Sequence, residues 1–439
     1  PSRCFEKYVD SVLDLLIKDT SGIKEPIVDL VGSEEILFFG PDEGTANMMD
    51  WGAEHARLRG APWWKSFTTG KTASTLGGVP HDEFGMTTLS IRQYIHGIIN
   101  FLGLKEEDVT KVQTGGPDGD LGSNEILQSK DKTVAIIDGS GVLHDPIGID
   151  RGELVRLAKE RRMISHFDVS KLSPEGYRVL VEDRNVTLPS GQVITDGFAF
   201  RNRAHLLFKA DLFVPCGGRP ESINISNVNE LIKDGDKCNY KYIVEGANLF
   251  ITRQARLELE KHGVILYPDA SANKGGVTSS SLEVLVGLSL SDDEYISNML
   301  FVDGKPTQFY MDYVRDIQTN IARNAHSEFE AIWREHKDTG KPRSLISTDM
   351  SNALNRLSLQ IENTNLFEQE VLRNRILKLV FPKTLVNKVG LDMLVKRVPK
   401  SYLKSAFAAQ VAAGFIYAKG PRASYVDFYD YVSALLQSS

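Results

Sequence analysis

Five short apolar segments of β character, separated by helical segments, constrain the fold of this chain most strongly. They lie between residues 85 and 272 and read, in chain order, DVTKVQT, TVAIID, DLFVPC, YKYIVEG and GVILYPD. The helical segment MTTLSIRQYIHGIINFLG precedes the first of them, and Thr252 and Gly263 provide the start and stop signals of a later helix. Strands that alternate with helices form a parallel sheet with crossover helices. The pattern therefore predicts an α/β domain with a doubly wound sheet over residues 85–272.

The flanking regions have different patterns. Residues 1–84 read as a helix, a short strand ILFF, a Pro/Gly-framed loop and the turn-rich stretch TTGKTASTLGG. From residue 273 to residue 439 strand signals fade, and helical segments such as SLEVLVGLSL and SYLKSAFAAQVAAGFIYA dominate. At 439 residues the chain is long enough for two or three domains. We expect part of a second α/β domain in residues 1–84 and a helical region in residues 273–439.

Charge and apolar patterning exclude two classes of partner. The net charge of −7 gives no general attraction to phosphate backbones, so no nucleic-acid partner is expected. No apolar run approaches the roughly 18 residues that span a bilayer, so no membrane partner is expected.

The three cysteines and the first residues bear on the compartment. Cys4, Cys216 and Cys238 have no metal-binding or redox spacing, which predicts no metal site and favours a reducing compartment. The chain opens with Pro1 and already carries a helical apolar stripe from Phe5, which is typical of a piece of a longer protein. The expected location is the cytoplasm or the mitochondrial matrix, with the cytoplasm favoured.

A glycine-rich loop, GGPDGDLG, follows the first predicted strand and leads into a helix. Its glycines can supply a tight turn, a close approach of backbone to a pyrophosphate, and close helix packing, as in a dinucleotide-binding loop. The spacing departs from GxGxxG, Pro117 lacks an N–H, and Asp118 and Asp120 would repel a phosphate unless they face solvent. The candidate cofactor-binding residues of the loop are Gly116, Gly119 and Gly122.

Two other interpretations apply to the same loop. A calcium loop counted from Asp118 fails, because Ser123 stands where the sharp-turn glycine belongs and Ser129 where the bidentate glutamate belongs. An ordinary glycine-rich turn is the more common interpretation of the loop taken alone. Asp138 changes this balance, since it ends the next predicted strand 22 residues beyond Gly116.

An acid about 20 residues beyond such a loop accepts hydrogen bonds from the adenosine ribose, and its charge disfavours a 2′-phosphate. The loop and Asp138 together therefore predict a Rossmann-type site for NAD rather than NADP, although an aspartate at a strand end is often only a turn former. Two amides, Asn248 and Asn273, follow later predicted strands. Each alone is more often a turn residue, but an amide can satisfy both groups of a carboxamide, so both are candidate cofactor-binding residues.

The segments FGPDEGTANMMDW and NKGGVTSSSLEV resemble the substrate pocket of the glutamate dehydrogenases, in particular the large NAD-specific type. The resemblance runs from about Phe5 to about Leu290. It implies oxidation of L-glutamate with NAD and water to 2-oxoglutarate and ammonium, in a homo-oligomer. The family's substrate and catalytic lysines are expected upstream of Asp42 and outside this chain, so the chain alone is expected to be inactive.

The resemblance also assigns residue roles. Asp42 matches the aspartate that moves protons, Ser280 the serine that binds the side-chain carboxylate of glutamate, and Val277 the neighbouring wall. Thr87 and Thr88 match the position that reaches the nicotinamide amide, and Lys274 stands where the family has a small residue.

Several alternatives stay open at this point. Taken singly, Asp42 is a turn residue and the serines at 279–281 are helix caps. For the whole chain, the alternatives are a dehydrogenase for another amino acid, which Ser280 disfavours, and a non-catalytic NAD-binding or assembly module.

Overall fold

The computed structural model describes residues 2–17, 39–41, 44–233 and 237–437. Asp42 and most of the predicted strand ILFF lie outside these residues. The α-helices are α1 (Ser2–Leu16), α2 (Ala46–Leu58), α3 (Trp64–Phe67), α4 (Ala73–Leu76), α5 (Met86–Phe101), α6 (Asp120–Gln128), α7 (Arg151–Glu160), α8 (Gly197–Leu207), α9 (Arg253–Lys261), α10 (Asp269–Ala272), α11 (Gly275–Ser289), α12 (Asp292–Met299), α13 (Gln308–Thr339), α14 (Arg343–Glu362), α15 (Glu370–Val380), α16 (Lys383–Val389), α17 (Leu391–Arg397), α18 (Lys400–Lys419) and α19 (Tyr425–Gln437).

The β-strands are β1 (Thr110–Thr114), β2 (Lys132–Ile137), β3 (Gly141–His144), β4 (Tyr177–Leu180), β5 (Val186–Thr187), β6 (Val193–Ile194), β7 (Ala210–Pro215), β8 (Ile232–Lys233), β9 (Lys237–Cys238), β10 (Tyr240–Val244) and β11 (Ile265–Tyr267).

The chain divides into two compact units. The first comprises Pro1–Phe84, Gly276–Ile321 and Asn352–Ser439, and the second comprises Gly85–Gly275 and Ala322–Ser351.

The second unit is built on a seven-stranded sheet with the order β11-β10-β7-β1-β2-β3-β4. The strands from β11 to β2 pair in parallel, whereas β3 and β4 join antiparallel at one edge. The five predicted strands are the five parallel ones, and α5 covers the predicted helix ahead of β1. The prediction of a doubly wound α/β fold is thereby confirmed, while the antiparallel edge was not predicted.

The strand order reverses beside β1, because the chain continues to β2 on one side and returns to β7 on the other. Open α/β sheets bind ligands at such a reversal, outside the carboxyl ends of the strands. The loops after β1 and β7 touch here, since the Thr114 hydroxyl donates to the Gly217 carbonyl at 2.6 Å. A Cβ on Gly115 would lie 2.6 Å from the Gly217 nitrogen, so only glycine fits.

The core of the second unit lies on the two faces of the sheet. One cluster packs Val112 and Phe213 against residues such as Phe250 and Leu259, and the other packs Ile136 and residues of α7. The predicted N-cap of α9 is confirmed, because the Thr252 side chain accepts a hydrogen bond from the Ala255 N–H. These clusters fix the strand ends that carry the candidate site.

The first unit is mainly helical among its described residues. Phe39, the described end of the segment ILFF, forms a parallel bridge with Thr68. Tyrosine hydroxyls fasten the turn after α4: Tyr295 donates to the Leu76 carbonyl at 3.0 Å and Tyr310 to the Gly78 carbonyl at 2.7 Å. Within the ranges that the structure describes, no helix has both the length and the apolar character to cross a membrane.

Candidate functional site

The loop between β1 and α6 has the conformation that its glycines allow. Gly115 has a φ of +84°, which L-residues with side chains rarely adopt. A Cβ on Gly116 would lie 2.5 Å from Asp138 Oδ2 and 2.6 Å from Asp118 Oδ1, and a Cβ on Gly122 would collide with the Gly116 carbonyl. Gly119 is the N-cap residue of α6. The loop is therefore a tight turn beside Asp138, in which a side chain at Gly116 or Gly122 would collide with its neighbours.

Gln113, which the sequence analysis did not single out, attaches this loop to β1. Its side-chain amide is buried and donates to the Gly115 carbonyl at 2.9 Å and to the Gly122 carbonyl at 3.1 Å. Both ends of the glycine segment are thus attached to β1. An alternating polar residue inside an apolar strand was the available signal.

The two aspartates of the loop do not both face solvent. Asp120 is buried in the first turn of α6 and accepts a hydrogen bond from the Asn124 amide at 3.0 Å. This location suits an acid, since the positive end of the helix dipole stabilises its charge. Asp118 is half-buried beside Gly116. Neither aspartate is fully exposed, so the condition stated from the sequence, that both acids face solvent, is not met.

Asp138 ends β2 beside the loop, and its carboxylate is already hydrogen-bonded. Oδ1 accepts from the Ser140 N–H at 2.8 Å and from the Ser140 hydroxyl at 2.6 Å, and Oδ2 accepts from the Ile164 N–H at 2.8 Å. Burial raises the pKa of the Asp138 carboxyl above its ordinary value, and these three donors oppose that rise. Each carboxylate oxygen has further lone pairs, so the group can still accept a hydrogen bond from a ligand.

A cleft of about 450 Å³ opens at this reversal of strand order. It is lined by the ends of β1 and β2, by one face of α8 and by the loop after β7. Three basic side chains that the sequence analysis missed reach it, namely Arg201, His205 and Arg219. Their signal was weak, because RNRAH reads as an ordinary helix surface and GGRP as a turn.

The basic residues of the cleft differ in environment. Arg219 is exposed, whereas Nε of Arg201 is buried and meets no hydrogen-bond acceptor within the described part of the chain. Burial lowers the pKa of His205, which lies edge-on to Phe250 at 5.5 Å. The cleft thus places two guanidinium groups beside Asp138, and guanidinium groups are strong donors to phosphate oxygens, so this lining fits the phosphates of a dinucleotide. Gly116, Gly119 and Gly122 are not among the residues that line it.

The two candidate amides lie together. Asn273 donates from its side chain to the Asn248 side-chain oxygen at 2.6 Å and to the Gly246 carbonyl at 3.0 Å. Leu249, the residue after Asn248, has a φ of +57°, and its N–H donates to the Asp269 carboxylate at 2.7 Å. The strand ends of β10 and β11 are therefore joined through these amides.

Lys274, for which the sequence offered no partner, is paired with Glu328 on α13 at 2.7 Å. The same carboxylate accepts a hydrogen bond from the Ser271 hydroxyl. The positive charge of Lys274 is therefore compensated by Glu328.

Thr87 and Thr88 lie in the first turn of α5. Gly275 packs so closely on this turn that a Cβ there would collide with the Met86 carbonyl. Thr88 is completely buried, and its hydroxyl has no hydrogen-bond partner among the described residues, whereas Thr87 is half-buried. Thr87 is thus the more accessible of the two threonines.

In the first unit, the candidate substrate residues lie on α11. The hydroxyls of Ser279 and Ser281 donate to the carbonyls of Gly276 and Val277, at 2.8 and 3.0 Å. Because α11 begins at Gly275, these serines bond within the helix, and the interpretation of them as N-caps is wrong. Ser280 is half-buried, and within the described ranges its hydroxyl has no hydrogen-bond partner. One turn earlier, Val277 has 72% of its surface exposed.

The sequence profile of the glutamate/leucine/phenylalanine/valine dehydrogenases matches residues 77–340, more than half of the chain. The chain belongs to this family. The match includes the glycine loop, Asp138, both amides and α11. The resemblance noted from the sequence is thereby confirmed.

Relatives align along almost the whole chain. An NAD-specific glutamate dehydrogenase of Neurospora crassa is 57% identical over 98% of this chain and 41% of its own length. A probable NAD-specific glutamate dehydrogenase of Schizosaccharomyces pombe is 53% identical over 99% of this chain and 39% of its own. The chain thus spans about two fifths of the length of these relatives.

The fold also matches solved structures. A hetero-hexameric glutamate dehydrogenase from Thermus thermophilus, in a Leu-bound form, superposes with a TM-score of 0.51 at 18% identity. The match covers 78% of this chain and 65% of that one, and at this identity it supports the fold alone.

Proposed function

We propose that the protein to which this chain belongs is an NAD-dependent glutamate dehydrogenase. It would convert L-glutamate, NAD⁺ and water to 2-oxoglutarate, ammonium, NADH and a proton. The observation that carries the proposal is the 57% identity to the Neurospora crassa enzyme along 98% of the chain. The activity is proposed for the whole protein, because the chain spans only part of such relatives.

Residues 85–272 are proposed as the cofactor-binding domain. The backbone of Gly116, Gly119 and Gly122 would contact the pyrophosphate at the N-terminus of α6. Asp138 would accept hydrogen bonds from the adenosine ribose, and its charge would disfavour a 2′-phosphate, which supports NAD over NADP. The guanidinium groups of Arg201 and Arg219, which line the same cleft as Asp138, would add positive charge near the phosphates.

The nicotinamide side is proposed to lie at the ends of β10 and β11. The side-chain N–H groups of Asn248 would donate to the ribose or the carboxamide, and the side-chain oxygen of Asn273 would accept, because both of its N–H groups are used within the chain. Thr87 and Thr88 at the start of α5 are proposed as further contacts. When bound, NAD⁺ accepts the hydride that leaves the α-carbon of the amino acid.

The substrate contacts are proposed on α11. The Ser280 hydroxyl, which makes no bond to its own helix, would donate to the side-chain carboxylate of glutamate, and Val277 would pack against its methylene groups. A hydroxyl orients a carboxylate without neutralising it, so the proposal also requires a cation beside that carboxylate. Asp42 would move protons between water, the imine of the substrate and the departing ammonia.

The remaining features of the proposal are coarser. A homo-oligomer is proposed from the family. The proposed compartment is the cytoplasm or the mitochondrial matrix, with the cytoplasm favoured, since Cys4, Cys216 and Cys238 are free thiols.

The test compares Ser280→Val with Ser281→Val in the complete protein. Ser281 is the matched control, because it is exposed and its hydroxyl bonds to the Val277 carbonyl. An unpaired carboxylate oxygen costs about 1–3 kcal/mol, so Ser280→Val should lower kcat/KM for glutamate about 5- to 150-fold and leave norvaline nearly unchanged. NADH formation is the readout.

Equal losses of kcat/KM for glutamate and norvaline would show that Ser280 does not bind the side-chain carboxylate of glutamate. A wild-type protein that oxidises an apolar amino acid faster than glutamate would instead identify a different member of the family. A protein that binds NADH and oxidises neither substrate would identify a non-catalytic binding or assembly module.

A further inference from the structure

Lys71 and Glu283 form an ion pair inside the first unit, and the proposed reaction assigns a role to neither of them. Nζ of Lys71 lies 2.5 Å from Oε1 of Glu283, and both side chains are 0% exposed. The two residues are 212 positions apart in the chain. The pair therefore joins two distant segments where no solvent can compensate either charge.

Each charge is saturated with hydrogen bonds. The Lys71 ammonium also donates to the carbonyls of Thr68 and Lys65, at 2.6 and 3.1 Å, which uses its three protons. The other carboxylate oxygen of Glu283 accepts from the N–H groups of Gly70 and Val79, both at 2.9 Å. The carboxylate thus holds residues 70–79 at two backbone positions as well as through the lysine.

On one side the pair fixes α11. Glu283 lies three residues after Ser280, and side chains at this spacing lie on neighbouring parts of a helix surface. A rotation or slide of α11 that moved the Ser280 hydroxyl would pull Glu283 away from three donors at once. The position of the Ser280 hydroxyl therefore depends on the contact between Glu283 and residues 70–79.

On the other side the pair fixes the backbone that leads to Asp42. The Phe39 N–H donates to the Phe67 carbonyl, and the Thr69 N–H donates to the Phe39 carbonyl, both at 2.9 Å. Gly70 packs on Pro41 so closely that a Cβ would collide with the proline ring. The segment that ends in Lys71 is therefore paired with the residues immediately before Asp42.

We propose that Lys71 and Glu283 are positioning residues for the reaction, a role that rests on the proposed function. They hold the helix of Ser280 and the segment before Asp42 in one fixed arrangement. Stability alone is a poor explanation of such a pair, because replacing a buried ion pair with apolar residues is often neutral or stabilising. Geometry explains it better, since a misplacement of about 1 Å can cost about a hundredfold in rate.

The test uses Lys71→Met, Glu283→Gln and the double variant in the complete protein. Each single variant leaves one buried polar group without its partner and should lower thermal stability, whereas the double variant removes both charges and should recover it. The pair's role in positioning predicts that kcat/KM for glutamate stays about a hundredfold low in the double variant. The Kd for NADH should stay within about threefold of wild type in all three.

Asp292→Asn is the matched control. Asp292 pairs with Lys65 at 2.5 Å in the same unit, but its side chain is 55% exposed and it lies on α12. This variant should change kcat/KM less than threefold. A double variant that regains both stability and kcat/KM would overturn the proposal and leave the pair purely structural.

Hydrogen exchange separates this proposal from the proposed function. Peptides covering α11 and residues 39–41 should both exchange faster in Glu283→Gln than in wild type, and neither should do so in Asp292→Asn. Unchanged exchange in either segment would overturn the coupling. A wild-type protein without glutamate oxidation would overturn the proposed function, while the exchange result would still decide whether the pair couples the two segments.

Discussion

Lys111 offers a sharp test of the energetics of the second unit. It is the second residue of β1 and has a side chain that is 0% exposed, and Nζ is 2.9 Å from Asp131 Oδ2 and 3.1 Å from Glu125 Oε1. Arg92, 2% exposed, shares Glu125 at 3.1 Å and also bonds Glu106. This buried cluster holds two positive and three negative groups, and Lys111→Met would leave one positive group against three negative ones.

Removing one partner of a buried charge pair costs about 3–5 kcal/mol, because the other charge stays buried without compensation. Lys111→Met should therefore speed amide exchange in β1 and β2 by roughly two to four powers of ten, since about 1.4 kcal/mol is tenfold. The assay is hydrogen exchange by mass spectrometry on the complete protein. Adding Glu125→Gln removes one negative charge and should restore part of the loss.

Lys241→Met is the control for this experiment. Lys241 lies in β10 of the same sheet and pairs with Asp211 at 2.7 Å, but its side chain is 67% exposed. Exposed pairs contribute about 0–1 kcal/mol, so this variant should change exchange by less than about fivefold. A loss below about 1 kcal/mol for Lys111→Met, or no recovery in the double variant, would refute the reasoning.

Two further predictions concern Asp138 and His144. Asp138→Ser should shift the ratio of kcat/KM for NAD and NADP toward NADP by about tenfold or more, the scale of one lost charged hydrogen bond; an unchanged ratio would place cofactor selection elsewhere. His144 stacks on Phe208 at 4.8 Å, and burial lowers the pKa of its imidazole. As the pH falls below about 6.5, the unfolded chain therefore protonates this histidine before the folded chain does. The free energy of unfolding therefore falls as the pH falls, and His144→Phe should reduce this fall between pH 7.5 and 5.5 by at most about 1.4 kcal/mol per pH unit, measured by urea titration; equal slopes for the two proteins would contradict this.

The sequence predicted the central strands because a parallel sheet is covered on both faces. Its strands then read as continuous apolar runs, which is how TVAIID and DLFVPC were recognised. The edge strands β3 and β4 are four residues each and pair antiparallel, so GVLH and YRVL carry too few apolar positions to stand out. Their short length explains the omission better than exposure does, because three of the four residues of β3 are buried and the edge strand β11 was predicted from its apolar run.

The candidate site was predictable where a local pattern encodes it. Gly116 and Asp138 follow strands at a recognisable spacing, and they lie side by side. Arg201 reaches the cleft only because α8 crosses the sheet, which no local pattern records. Lys274 and Glu328 are likewise paired by topology across 54 positions.

Each unit places a buried lysine against a glutamate on the helix that carries proposed ligand contacts. Lys111 pairs with Glu125 on α6, the helix after the glycine loop, and Lys71 pairs with Glu283 on α11, the helix of Ser280. Apolar packing tolerates small slides and rotations of a helix, because dispersion contacts are numerous and individually weak. A buried ammonium does not tolerate such movements, because every displacement leaves its charge without hydrogen-bond acceptors. If this difference governs both helices, variants that remove both charges of a pair will lose ligand geometry while they keep the fold, whereas trimming a neighbouring leucine will lower stability while the molecules that stay folded keep their affinity.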